Sequence, residues 1–292
     1  MIATIATIGT VLLEPLEFEF FQRGLFVATA ASALCGLIGV FVVLRSMSYI
    51  GHGLSHAVFG GAAASTVLGV SYFVGAGVWA VLAALLIGRV STRSPVGADA
   101  AIGVVTTASF AIGLAIQSRN GSVSSALDTV LFGNVLAVFG RDVLAVLVVG
   151  ACVTVFVAAF RRELTFATFD PDVARTSGIP VARLDALLMV ALSATVIVSA
   201  RVIGALLIAA MLVLPAGTAR LLTNSIGRML WLAPLLGALF GFGGMYASWY
   251  AEVPSGAMIT LVGTVVFGAA YLGVDAARRR AVAGLDDHAV PA

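Results

Sequence analysis

The chain has 292 residues, is 61% hydrophobic and 10% charged, and has a mean hydropathy of +1.11. A soluble domain is nearer half apolar and a quarter charged, so the chain reads as a polytopic membrane protein. Its formal net charge of +2 gives no nucleic-acid signature, and with all sixteen basic residues Arg a GxxxxGK[ST] phosphate loop is ruled out.

Residues 1–23 are short of a span. The stretch LEPLEFEFFQRG carries Glu14, Glu17 and Glu19, so it is expected at the membrane interface, with no cleavable signal peptide. Nine apolar stretches follow at 24–44, 48–70, 72–90, 100–118, 142–160, 184–200, 202–222, 229–250 and 255–274. With 184–222 open to a different count, the expected fold is an all-α bundle of about 8–9 transmembrane helices. The expected division is the segment 1–23, one transmembrane domain over 24–277 with a polar loop at 161–183, and a tail at 278–292. Cys35 and Cys152 fall inside apolar spans and are expected as buried small hydrophobes. Gly53, Ala57 and Gly61 form one small-residue ridge, and Gly237 and Gly241 another, spaced for close helix packing. Pro215 lies deep in the seventh span, and His288 in the polar tail.

The arginines set an orientation. With Arg278, Arg279 and Arg280 placed in the cytoplasm, nine alternating spans put twelve arginines inside and four outside, Arg23, Arg119, Arg141 and Arg201. The acidic N-terminus is then outside, and the loop 161–183 inside.

The second stretch holds two of the three histidines. In RSMSYIGHGLSHAVFGG (45–61), His52 and His56 stand four residues apart, one helical turn, so they share a helix face and can meet one ion. Ionisable groups inside a span are costly and mark a substrate pathway by default. A lone histidine would read as a satisfied polar group; the pair within HGLSH reads as metal-handling. Ser55 reads as bonding to a carbonyl or a neighbouring helix.

The loop RRELTFATFDPDVARTSGIPVAR (161–183) contains a short helix signature. Asp170 suits an N-cap, Pro171 the first helical position, and Asp172 complements the dipole. Gly178 stops the helix, leaving two turns over 171–177.

Four motifs now resemble the permease subunit of the zinc/manganese/iron family of ABC importers. RSMSYIGHGLSHAVFGGAA is similar to the family's Arg, short apolar run and Asp-Ala-Leu-Ser-His-Ala-Val-Leu-Pro-Gly. LFGNVLAV (131–138) resembles its mid-chain LFG segment, and FDPDVARTSG its cytoplasmic FDxExAxxxG loop. VIGALLIAAMLVLPAGTARLL with VPSGAMITL (253–261) resembles its closing spans. The resemblance runs from about residue 12 to 275. It departs at His52, where the family has Asp, and at Gly60, where it has Pro.

The resemblance implies a type II ABC-importer bundle in the plasma (inner) membrane, a transport subunit rather than an enzyme. It implies a cytoplasmic ABC ATPase partner docking on Asp170, Pro171, Asp172, Ala174, Arg175 and Gly178. It further implies an extracytoplasmic metal-binding protein and a second permease copy as a homodimer. It implies His52 and His56 as the metal ligands and, as cargo, a divalent metal ion, with no permanently bound cofactor. Imidazole suits zinc and carboxylate suits manganese, so His52 in place of Asp favours zinc, with manganese or iron as alternatives. Two rivals fit less well. An intramembrane hydrolase lacks the Glu of HExxH and a GxSxG elbow. A gradient-driven secondary transporter lacks the carboxylates of a proton relay, because the acidic residues fall mostly in loops rather than mid-span.

Overall fold

The computed structural model describes residues 14–93, 98–119, Gly133 and 138–286. A short 3-10 turn, Glu14–Glu17, precedes eleven α-helices among the described residues. They are α1 (Glu19–Leu44), α2 (Ser48–Leu68), α3 (Tyr72–Arg93), α4 (Ala98–Arg119), α5 (Gly140–Ala159), α6 (Arg161–Phe169), α7 (Pro171–Thr176), α8 (Val181–Ile203), α9 (Ala205–Leu222), α10 (Ile226–Ala251) and α11 (Ser255–Asp286). Each of the nine apolar stretches corresponds to one helix.

Among the described residues six helices, α1, α3, α5, α8, α10 and α11, are long and apolar enough to cross a membrane; α4 and α9 carry shorter apolar runs. The architecture is an all-α membrane bundle. Three local differences from the sequence expectation stand out. α1 takes in Glu19–Arg23, the end of the supposed interfacial segment. α11 continues past the expected tail boundary to Asp286. The polar loop holds a second helix, α6, before α7.

α1 is the central pillar. Phe21, Val27, Cys35, Ile38 and Phe41 are buried along it, and α5, α8, α9 and α10 pack around it. In a bilayer such contact depends on close backbone approach rather than on water exclusion, so small residues decide where helices cross. α1 and α10 run antiparallel through a ladder of such contacts. Gly36 lies against the Ala233 carbonyl, Gly237 against that of Ser32 and Gly241 against that of Ala28. A Cβ at Gly241 would lie 2.6 Å from that last oxygen. The ridge expected at Gly237 and Gly241 is therefore the α1–α10 seam.

The ridge on α2 divides between two neighbours. Gly53 meets Ile102 and Thr106 of α4, whereas Gly61 meets Gly75, Ala76 and Trp79 of α3. Cys35 is buried as expected, but Cys152 is exposed on α5, because its face of that helix turns away from the bundle. α9 continues through Pro215 and α10 through Pro234.

Four arginines gather at one end. Arg45 at the end of α1 reaches α6 and α8, and Arg161 after α5 lies beside Gly227 in α10. Arg220 and Arg228 line one cleft of about 870 Å³ with Tyr271 and Asp275. This grouping joins the loop 161–183 to the cap of α1, the start of α10 and the far part of α11. His288 lies outside the described residues.

Candidate metal pathway and coupling helix

α2 begins three residues after Arg45. The turn between α1 and α2 is tight: Ser46 adopts a positive φ of 54°, its N–H donates to the Val43 carbonyl at 3.1 Å, and the Met47 N–H donates to Val42 at 2.9 Å. Such a paired closure satisfies two of the carbonyls left open at a helix end.

His56 is half-buried in α2, and its ring meets Phe110 of α4 edge-on at 5.3 Å. Phe110 in turn stacks at 5.1 Å against Phe59. Gly53, His56 and Gly60 follow a three-then-four spacing, and all three face α4. A Cβ at Gly60 would lie 2.6 Å from the Ser109 carbonyl, and one at Gly113 would lie 2.9 Å from the Gly60 Cα. Gly60 and Gly113 are thus the crossing point of α2 and α4. The residue that departs from the resemblance at Gly60 leaves α2 an unbroken helix through that crossing.

The position of His52 lies in α2 one turn before His56; its side chain lies outside the described set. Ser55 is buried. Among the described residues no group of three or more His, Cys, Asp and Glu side chains could hold a metal ion. The sequence reading missed the opposite wall. Thr106 Oγ1 is buried without a hydrogen-bond partner, and it lies where a Cβ on Gly53 would come within 2.7 Å. Thr106 and Phe110 are one turn apart on α4, facing the histidine helix. A Thr in an apolar span carries no signal of its own until the neighbouring helix is known.

The second element is α7. Asp170 Oδ1 accepts from the Val173 N–H at 2.9 Å, and Pro171 occupies the first position. Arg175 pairs with Asp172 at 2.7 Å on the exposed side. At the far end Gly178 has a φ of +84°, its N–H reaches Arg175 O at 3.1 Å, and the Ile179 N–H reaches Ala174 O at 3.0 Å. This is a Schellman closure with Ser177 as C-cap, one residue earlier than the expected end. Ala174 is fully buried with Ala167 and Val181, and Ile179 packs on them. α7 therefore stands as a pinned knob, its inner side held by Ala174 and its outer side carrying Asp172, Val173 and Thr176 in the open. LFGNVLAV lies mostly outside the described residues. At the closing motif, Gly256 packs against the Ile203 carbonyl, seating the start of α11 on the end of α8.

The model of the ABC 3 transport family matches residues 17–273. The chain is 39% identical over 256 residues to the manganese transport system membrane protein MntC of Halalkalibacterium halodurans, covering 88% of each chain. It is 36% identical to the manganese import system permease protein ScaB of Streptococcus parasanguinis, over 86% of this chain and 89% of that one. A probable iron transport system membrane protein of Haemophilus influenzae is 32% identical, over 88% and 94%. Among solved structures, PsaBC from Streptococcus pneumoniae in complex with Fab superposes with a TM-score of 0.81 at 33% identity, covering 90% of this chain and 95% of that one. The relatives are transport components rather than enzymes, and the chain, a multi-pass protein of the plasma membrane, belongs to the ABC 3 transport family of metal-importer permeases.

Proposed function

We propose that the chain forms the pathway of an ATP-driven importer of a divalent transition-metal ion, with His52 and His56 of α2 as transit ligands. The observation that carries this reading is the histidine pair at one-turn spacing on a helix whose His56 side faces α4, with Thr106 unpartnered on the opposite wall. A transit site must accept an ion and release it again, so a sparse donor set completed by water or by a second copy suits it better than a closed cage. Two copies related by a two-fold axis would bring two histidines each.

The arginine-rich end is placed in the cytoplasm, following the positive-inside bias. There α7 docks in a groove of a separate ABC ATPase through Asp170, Pro171, Asp172, Ala174, Arg175 and Gly178. Ala174 works by pinning the helix from beneath, and Gly178 by closing its end. An extracytoplasmic binding protein delivers the ion at the opposite end.

The chain's own donors favour zinc, because His52 supplies a borderline nitrogen where a carboxylate would suit manganese. Manganese is the second reading, carried by the names of several relatives. Transport into vesicles by the purified permease with its ATPase and binding protein, under zinc and manganese competition, tests both. Uptake of neither metal would end the proposal.

A further inference from the structure

We propose that the groove between α1, α5 and α10 binds an anionic phospholipid from the leaflet at the arginine-rich end, with the acyl chain in the groove and the phosphate on Arg161. The groove holds about 480 Å³, within the roughly 300–1,000 Å³ of small-ligand sites. Its walls are Ala33 and Leu37 of α1, Gly150 and Val157 of α5, and Trp231 and Pro234 of α10. Among the described residues, the only charged side chain lining it is that of Arg161, which closes one end.

The charge at that end is unbalanced. A Cβ on Gly227 would lie 3.3 Å from Arg161 Nη2, so the guanidinium leans over the first turn of α10. That turn carries no acidic residue, its N-cap Ser225 makes no side-chain cap bond, and Arg228 adds a further positive charge. Among the described residues no carboxylate pairs with Arg161. A cation over the positive end of a helix is repulsive until an anion joins them. Phosphate fits the fork of an arginine, and basic sites between helices at the membrane surface take lipid headgroups.

Depth selects the occupant. From Ala159, the end of α5 beside Arg161, back to Gly150 is nine residues, which at roughly 1.5 Å per residue is about 14 Å. That is about half of the ~30 Å hydrocarbon core, the depth of one leaflet. A helix from a second copy would need a seam through the whole bilayer, whereas one acyl chain fills half. Trp231 is 79% exposed at the rim, at the level where aromatic rings favour the interface. A Cβ on Gly150 would meet nothing within 4 Å, so the deep end of the groove is open.

The test uses the full chain purified in mild detergent, with bound lipid counted by native mass spectrometry. The probes are phosphatidylglycerol and phosphatidylcholine of identical chains, and inorganic phosphate alone. Wild type should retain phosphatidylglycerol in preference to phosphatidylcholine. Arg161→Gln should cut that preference about tenfold, the scale of one charge-assisted contact. Gly150→Trp, which fills the groove and leaves Arg161 in place, should reduce retention of both lipids, so the proposal stands testable even if the first variant fails to fold. An unchanged preference in Arg161→Gln, or full retention in Gly150→Trp, would overturn it. Thermal protection by inorganic phosphate equal to that by the lipid would reduce the site to an anion site and overturn the lipid assignment. Disulfide cross-linking between copies through a Thr154→Cys variant in which the exposed Cys152 is replaced by Ser would do the same in favour of a protein interface.

Discussion

Arg45 Nη1 donates to Asp185 Oδ1 at 2.5 Å, tying the cap of α1 to the start of α8, while its Nε donates to Thr168 of α6 at 3.0 Å. The pair bolts the turn that leads into the histidine helix onto the segment that carries α7. Arg45 is mostly buried and Asp185 more open, with side chains 12% and 38% exposed. Asn at 185 keeps an acceptor oxygen for Arg45 but removes the charge, leaving a nearly buried guanidinium without its counter-ion. Asp185→Asn should therefore destabilise the protein by about 1–2 kcal/mol, an amount discounted for solvent at Asp185. Arg45→Lys should not restore it, because one ammonium cannot serve both partners in the arginine's fixed fork. Thermal unfolding of the purified variants, combined as a double-mutant cycle, measures the coupling.

The α1–α10 seam makes a packing prediction. Gly241→Leu would drive a side chain into the Ala28 carbonyl, and the helix backbone offers no room to retreat. Overpacking of this kind costs on the order of 1–3 kcal/mol or more. Size-exclusion profiles should show loss of the monodisperse protein, whereas Gly268→Leu, with nothing within 4 Å of its Cβ, should be tolerated.

Gly178→Val tests the proposed coupling role of α7. No neighbour crowds a Cβ there, so the effect comes from the backbone alone: a φ of +84° costs a non-glycine residue about 1–2 kcal/mol. The protein should reach the membrane while metal-dependent growth fails. Normal uptake by this variant would show that α7 does not couple ATP hydrolysis to transport.

Orientation is read by labelling. A cysteine introduced at Asn224, beside the arginine cleft, should react from the cytoplasm, and one at Glu252, after α10, from outside. The exposed Cys152 is first replaced by Ser. The converse pattern would reverse the placement of the ATPase and of the ion's entrance.

How much of this was legible in the sequence follows from what each signal encodes. The nine long helices were legible because long apolar runs end at polar or charged residues, and α7 because Asp170, Pro171 and Gly178 each demand a particular backbone. α6 was missed: RRELTFATF has no apolar run, and no side chain caps its start. Small-residue spacing said that Gly53 and Gly61 approach something, not that one meets α4 and the other α3. Thr106 and Phe110 were invisible for the same reason, since pairing between helices is not written in either one. Cys152 was misplaced because an apolar span looks alike whether its face turns to lipid or to protein.

The histidines carry the central claim. Imidazole binds metal only when neutral, so uptake limited by this site should fall on acidification. His52→Asp keeps the one-turn spacing, adds a charge and exchanges nitrogen for a hard oxygen, and it should shift preference from zinc toward manganese while keeping activity. The most direct measurement is zinc and manganese uptake by the reconstituted importer carrying His52→Ala and His56→Ala together. The account predicts that uptake of both metals is abolished while the complex still assembles and hydrolyses ATP. Import at the wild-type rate would show that the histidines are structural and that the ion takes another path.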